Sequence, residues 1–328
     1  MAQTQETAAI ALAGLDAVIP FQVAPLDVRG RAVQLGPMLD AMLGRHDYPQ
    51  AVSRLIAEAV TLTVLLGTAL KFEGKFILQT QTDGAVPLIV TEFRTPSSVR
   101  AYANFDREAV DALVAEGKSD APSLMGNGIL AMTIDQGTYM QRYQGIVQLD
   151  GITLEEVARR YFLQSEQIPT EVRLAVGETL TRGEDGKPIS GWSAGGVLLQ
   201  FLPDSEERMR QKDLHGGDGA EDYEFSTDDA WAEALALMGT VEDLELTDRD
   251  VEPERLLYRL FHEHGVHAFD ANPVFDDCGC SEDNVRGVLS GFTAEQLNES
   301  TEEGEITVTC EFCSSTYRFS PSEFTTSQ

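Results

Sequence analysis

QAVSRLIAEAVTLTVLLGTALKFEGKFILQTQTDGAVPLIVTEF, residues 50–93, contains the change of hydrophobic period that sets the fold class. Its first half, Gln50–Phe72, has Arg54 and Glu58 near its start and is apolar on every side from Ala59 on, the pattern of a helix buried all round. After Phe72–Lys75 the pattern shifts to short β-rich runs, Phe76–Thr82 and Leu88–Phe93, split by Asp83 and Gly84 as in a hairpin. A buried helix leading into paired strands predicts an α+β arrangement.

Further along, Ile129–Ile134 and Gln144–Leu149 repeat the strand pattern around Gly137, and Leu154–Leu163 reads as a helix capped by Thr153 with Glu156 three residues on. Glu171–Val176 and Trp192–Phe201 are two more strands, joined by the turn-rich RGEDGKPISG at 182–191. These elements compose a mixed α/β-sheet core domain that ends near Pro203.

Asp204–Arg255 contains 18 acidic and 5 basic residues, a local net of −13, which marks a linker by composition. It nevertheless predicts helices. Thr227 can cap a segment that puts Trp231, Leu235 and Met238 on one face, and Glu252–His262 aligns Leu256, Leu257, Leu260 and Phe261 on another. A purely polar tether would need neither face.

The C-terminal piece from Val266 carries the four cysteines of the chain: Cys278 and Cys280 as C-x-C, then Cys310 and Cys313 as C-x-x-C, with 29 residues between the pairs. Two close thiol pairs suit a tetrahedral all-thiolate zinc site, because each supplies two ligands from one local turn. Residues two apart on extended chain share a side, and Gly279 relieves crowding between them. Between the pairs lie two short helices, Ser281–Leu289 and Thr293–Asn298. Ile306–Cys310 and Ser315–Phe319 form hairpin arms with the second pair at the turn. Four thiolates leave no open coordination position, so Lewis-acid catalysis is disfavoured.

Three uses of such a cluster stay open on the residues alone: a zinc staple, a redox switch, or a thioredoxin-type dithiol, although the last lacks its βαβ context. The redox use is physically attractive. Structural zinc contributes about 10–16 kcal/mol to folding, while a core of roughly sixty residues seldom supplies more than ~3–5 kcal/mol. Zinc-bound thiolate is also what peroxide or hypochlorite attacks, with a second sulfur at hand to trap the sulfenic acid. His262, His264 and His267 form an H-x-H-x-x-H run, but the four thiolates already saturate one zinc.

Fifty-four acidic against 24 basic side chains give a net charge of −30, which would repel a phosphate backbone and argues against nucleic acid as a partner. No Lys or Arg precedes Arg29, and the N-terminus lacks the basic-then-apolar order of a secretory signal. The longest candidate membrane span, Ala59–Leu70, is too short at 12 residues for the roughly 20 a bilayer requires. The expectation is a cytoplasmic chain with no membrane partner, whose thiols stay reduced and free to bind metal. No G-x-x-x-x-G-K-[ST] occurs, so ATP is not implied.

The C-x-C…C-x-x-C set at Cys278, Cys280, Cys310 and Cys313, TLTVLLGTALKFEGKFILQTQTDG at 61–84, QRYQGIVQLDG at 141–151, YFLQSEQIPT at 161–170 and SAGGVLLQ at 193–200 are a specific combination. Together they resemble the heat-shock protein 33 family of redox-regulated chaperones. The resemblance runs from about Ile19 onward. It implies an ATP-independent holdase, not an enzyme, that protects thermally unfolding and oxidatively damaged proteins from aggregation. Reduced, the four cysteines hold one Zn2+ and the protein is inactive. Oxidised, disulfides Cys278–Cys280 and Cys310–Cys313 form, zinc leaves, and the switch and linker unfold to expose a client-binding surface; active members dimerise.

On that pattern the chain divides into an extension at 1–16 without a counterpart and a candidate for disorder, a chaperone core at 17–203, an acidic helical linker at 204–265 and a zinc-binding redox switch at 266–328. Trp231, Leu235, Met238, Leu256, Leu257, Leu260 and Phe261 are the candidate client-binding residues. Two alternatives are kept beside it: a thiol-disulfide oxidoreductase using Cys310 and Cys313, and a constitutive zinc-ribbon interaction module.

Overall fold

Helix α1 (Pro37–Leu43) leads into α2 (Gln50–Ala69), which runs between two sheets; that position is why its sequence has no polar face. The computed structural model describes residues 14–137, 142–182, 188–202 and 229–324. The first sheet holds β1 (Ala17–Val23), β2 (Val28–Leu35), β9 (Pro188–Phe201) and β8 (Thr170–Arg182), side by side in that order and antiparallel. The second holds β5 (Ser98–Asn104), β4 (Leu88–Arg94), β3 (Lys75–Thr82), β6 (Asn127–Asp135) and β7 (Tyr143–Asp150), also antiparallel.

At 20 residues α2 is long and apolar enough to cross a bilayer by composition, more than the 12-residue stretch counted from sequence. Yet 83% of its apolar window is enclosed by protein, which makes it the core helix. Its polar side chains find partners inside: Thr61 Oγ1 donates to Ala57 O at 2.7 Å, and the hydroxyls of Thr63 and Thr91 meet across to β4. Buried hydroxyls left unpaired would each cost about 1–3 kcal/mol.

The predicted strands all form, but the hairpin of β8 and β9 is longer than the sequence suggests. Its ladder runs from Thr170 opposite Gln200 to Arg182 opposite Pro188, where the reading ended the strands at Val176 and Trp192. Glycines and charges made those outer residues look like turn; main-chain bonds carry the ladder past the packed core regardless. Strands β1, β2 and β5 and helices α1, α3 (Arg107–Ala115) and α4 (Ala121–Met125) were not foreseen; β5 buries only Val99, Ala101 and Ala103 and gives little contrast. Helix α5 (Leu154–Tyr161) is capped by Thr153, whose hydroxyl accepts from Glu156 N, and runs on into a π turn at Phe162–Glu166.

The outer face of the first sheet is covered by three linker helices, α6 (Asp229–Met238), α7 (Asp243–Thr247) and α8 (Pro253–Phe261). Thr227, proposed as a cap, lies outside the described residues, as does most of the extension at 1–16. Asp16 itself is fixed: its carboxylate accepts from Gly36 N at 2.8 Å and Met38 N at 3.0 Å.

After α8 the chain forms three two-residue strands, β10 (His267–Ala268), β11 (Asn272–Pro273) and β12 (Phe275–Asp276). The first two pair with β1 and the third with β5. Only then does a separate small unit begin, with α9 (Glu282–Leu289), α10 (Ala294–Glu299) and β13 (Thr301–Glu302), β14 (Glu305–Thr309) and β15 (Thr316–Phe319) around Leu289, Leu297, Ile306 and Phe319.

Candidate metal centre

Two short turns bring the four thiols together. Gly279, between Cys278 and Cys280, has φ +62°, so the first pair sits on a left-handed bend and not on extended chain. A Cβ there would come within 2.5 Å of the Arg94 guanidinium, the end of a side chain that can shift, so it is the left-handed backbone that favours glycine. The second pair sits at the turn joining β14 and β15, closed by Ser314 N donating to Cys310 O and Cys310 N donating to Ser315 O, both at 2.8 Å.

All four Sγ atoms lie within 4.8 Å of one another; Cys278 and Cys310 approach to 3.5 Å, Cys280 and Cys313 to 3.3 Å. Tetrahedral thiolates with bonds of about 2.3 Å to a central zinc would stand about 3.8 Å apart, so this donor set fits one such ion.

The local electrostatics are uneven. Burial pushes Cys278 up to about 12, against the opposing hydrogen bond from Arg100. Burial raises Cys280 as well. At Cys313 burial acts in the same direction but is outweighed by the hydroxyl and amide of Ser315, which hold the thiol down to about 6. Four thiolates cannot coexist in so small a space without a compensating cation, and metal binding requires all of them deprotonated.

Around the thiols, residues of the core domain grip the cysteine unit, and sequence reasoning missed all of them. Arg100 on β5 donates to Cys278 O at 3.1 Å and to Glu92 Oε2 at 2.8 Å, and its guanidinium lies 4.1 Å from the centre of the Phe312 ring. Arg94 pairs with Asp277 at 2.7 Å, Arg45 pairs with Asp276, and His46 Nε2 lies 3.1 Å from Phe312 O. An aromatic between Cys310 and Cys313 was the one signal in the sequence that this turn faces a surface.

Of the client-binding candidates, Trp231, Met238, Leu256, Leu257, Leu260 and Phe261 are buried against Ile19, Phe21, Val28, Val197, Leu199 and Phe201, while Leu235 is only partly covered. Phe261 stacks on Phe21 with centroids 5.9 Å apart, and Trp231 tilts over Phe201 at 5.7 Å. The three histidines do not gather: His262 contacts Tyr258 O, His264 pairs with Glu233 at 3.1 Å, and His267 packs edge-on against Phe269.

Against known proteins, the profile of the Hsp33 protein family matches residues 16–320. A 33 kDa chaperonin of Caulobacter vibrioides is 43% identical over 309 residues, 93% of this chain and 95% of that one. A 33 kDa chaperonin of Pseudomonas putida is 34% identical over 299 residues, covering 90% and 88%. Among solved structures, the 33 kDa chaperonin (heat shock protein 33 homolog) of Thermotoga maritima superposes with a TM-score of 0.71 over 94% of this chain and 96% of that one, at 20% identity, which speaks to the fold.

Proposed function

This chain belongs to the Hsp33 family of chaperones, and from that premise we propose that it is an ATP-independent holdase gated by the oxidation state of Cys278, Cys280, Cys310 and Cys313. The observation that carries the reading is the cover of α6 and α8 over the first sheet. An apolar surface built from both the core and the linker is hidden, and the linker joins through residues 267–277 to the cysteine unit. Exposed contiguous apolar area of this kind is what an unfolded client would meet.

When bound, a Zn2+ ion would neutralise the thiolates and cross-link the two turns of a unit whose own core is four buried side chains. A peroxide takes two electrons from one thiol pair: a thiolate attacks the O–O bond to give a sulfenic acid and hydroxide, the neighbouring thiolate displaces a second hydroxide to form a disulfide, and two protons from solvent convert both to water. Two peroxides consume all four thiols. We assign the disulfides Cys278–Cys280 and Cys310–Cys313, following the family resemblance. The unit then keeps only its small core, and the linker helices lose the anchor beyond them. Unfolded proteins bind the bared surface, and the active form is a homodimer in the cytoplasm.

The test is one sample treated with peroxide beside a reduced control, assayed for zinc release, disulfide connectivity and suppression of client aggregation. Because the shortest sulfur contacts run between the pairs, connectivity is mapped by mass spectrometry of peptides. Zinc release without gain of suppression would refute the gate. Zinc retained through oxidation would favour a constitutive ribbon, and turnover of a substrate disulfide would favour an oxidoreductase.

A further inference from the structure

One continuous segment, 267–277, closes the outer edge of both sheets. Strands β10 and β11 lie along β1, and β12 lies along β5. It holds by main chain: Phe269 N donates to Pro20 O, Val274 N to Asp16 O and Phe275 N to Ser97 O, each at 2.8 Å, and Asp277 N to Val99 O at 3.2 Å. Its side chains contribute little to the core. His267, Ala268, Phe269, Asn272, Pro273 and Phe275 are exposed, and Val274 alone is fully buried.

The segment ends one residue before Cys278, and its last two residues are held by Arg45 and Arg94. An edge strand stripped of its partner presents a row of unsatisfied N–H and C=O groups, a template for any extended chain. Resting on the chaperone reading above, we infer that residues 267–277 are a removable strand, and that their release opens the edges of β1 and β5 to unfolded clients, which bind by strand addition.

Three features favour that occupant. The edges already accept a strand in both senses, antiparallel on β1 and parallel on β5, so they do not demand one chain direction. The pairing is carried by amides and carbonyls, which every unfolded polypeptide owns, and this suits a chaperone without sequence preference. Further, the sheets' opposite edges, β8 and β7, pair with no strand among the described residues in this resting arrangement, so they cannot account for gating. Both target edges are blunted against uncontrolled pairing: Pro20 has no N–H to offer, and Ala103 N on β5 is engaged by the Tyr48 hydroxyl at 3.2 Å.

The test uses full-length oxidised protein, a permanently unfolded carboxymethylated polypeptide as client, and two synthetic peptides. One peptide has the segment's own sequence, HAFDANPVFDD. The other is the same peptide N-methylated at the positions of Phe269, Val274, Phe275 and Asp277, which removes the four donors and keeps every side chain. The plain peptide is expected to compete with the client, and the methylated one to need on the order of a hundredfold more or worse, given four donors lost at about 1 kcal/mol each. Amide exchange across 267–277 is expected to become fast on oxidation. Equal competition by both peptides, competition by neither, or a segment that stays protected in protein that binds client overturns strand addition and leaves the redox gate standing. Oxidised protein that binds no client overturns the gate, and this inference with it.

Discussion

Arg100 does three things with one side chain: it donates to the carbonyl of Cys278, lies over Phe312 between the other two cysteines, and is charge-balanced by Glu92. A cation–π contact of this half-buried kind is worth about 0.5–2 kcal/mol. Replacing Arg100 by Ala should therefore speed zinc transfer from the reduced protein to a chromogenic chelator by roughly two- to thirtyfold; an unchanged rate would mean that the core does not steady the cysteine unit. Glu58 makes a second prediction. Burial, then the nearby carboxylate of Glu155, raises it to about 7, with Arg54 opposing. Its folded value lies above the roughly 4.3 of an unfolded glutamate, so its neutral form favours the fold. That contribution is complete below about pH 4 and is lost as pH rises through 7. Glu58→Gln should raise the stability of the reduced protein at pH 8 by on the order of 2–3 kcal/mol and flatten the fall in Tm between pH 6 and 8. The cysteines were legible because spacing alone carries their chemistry. Arg100 and Glu58 were not, since an isolated charge on a strand or helix has no pattern until a distant partner is folded beside it.

The elements that read best from sequence were those whose burial is total or periodic: α2 between two sheets, and α8 with Leu256, Leu257, Leu260 and Phe261 on one face. Those that escaped include β1, β2, α1, β5, α3 and α4 as well as the shortest pieces, which are held by main chain. Strands β10, β11 and β12 have two residues each, one of them proline, too few to show alternation. Helix α7 escaped for the same reason, yet it explains a feature the sequence displayed openly. In SAGGVLLQ, Gly195 faces the linker, and a Cβ there would fall 2.1 Å from Leu246 O. The strand keeps glycine so that the linker backbone can lie directly on it. Gly195→Ala leaves β9 free to form, because its backbone is not in the left-handed region. It should push α7 away at a cost of about 1–3 kcal/mol. The reduced variant is expected to suppress client aggregation without oxidant while retaining its zinc. A reduced variant as inactive as its parent would show that α7 can lift without baring the surface beneath α6 and α8.

At the scale of the whole chain, the charge works against the closed state. Of the net −30, −13 belongs to Asp204–Arg255, −7 to residues 1–203 and −10 to residues 256–328, so linker and core carry charge of the same sign and repel. What opposes this in the described linker is apolar burial together with a few local pairings. Arg249 bridges to Asp40 at 3.1 Å and donates to Trp192 O at 2.8 Å, and Gln34 donates to Asp248 O at 2.7 Å. These contacts are short-ranged and partly buried, so salt changes them little. The repulsion is long-ranged and is screened over about 10 Å at 0.1 M salt but only over about 30 Å at 0.01 M. Lowering salt therefore strengthens the force that lifts the linker more than it strengthens the pairs that hold it. Reduced, zinc-loaded protein should show more holdase activity and faster amide exchange in α6 and α8 at 0.01 M than at 0.2 M salt. Arg249→Gln should enlarge the difference by removing a pairing that bridges the two parts. Equal activity across that range would mean that burial of the linker helices alone sets the resting state, and that the acidity of this chain serves solubility and not the switch.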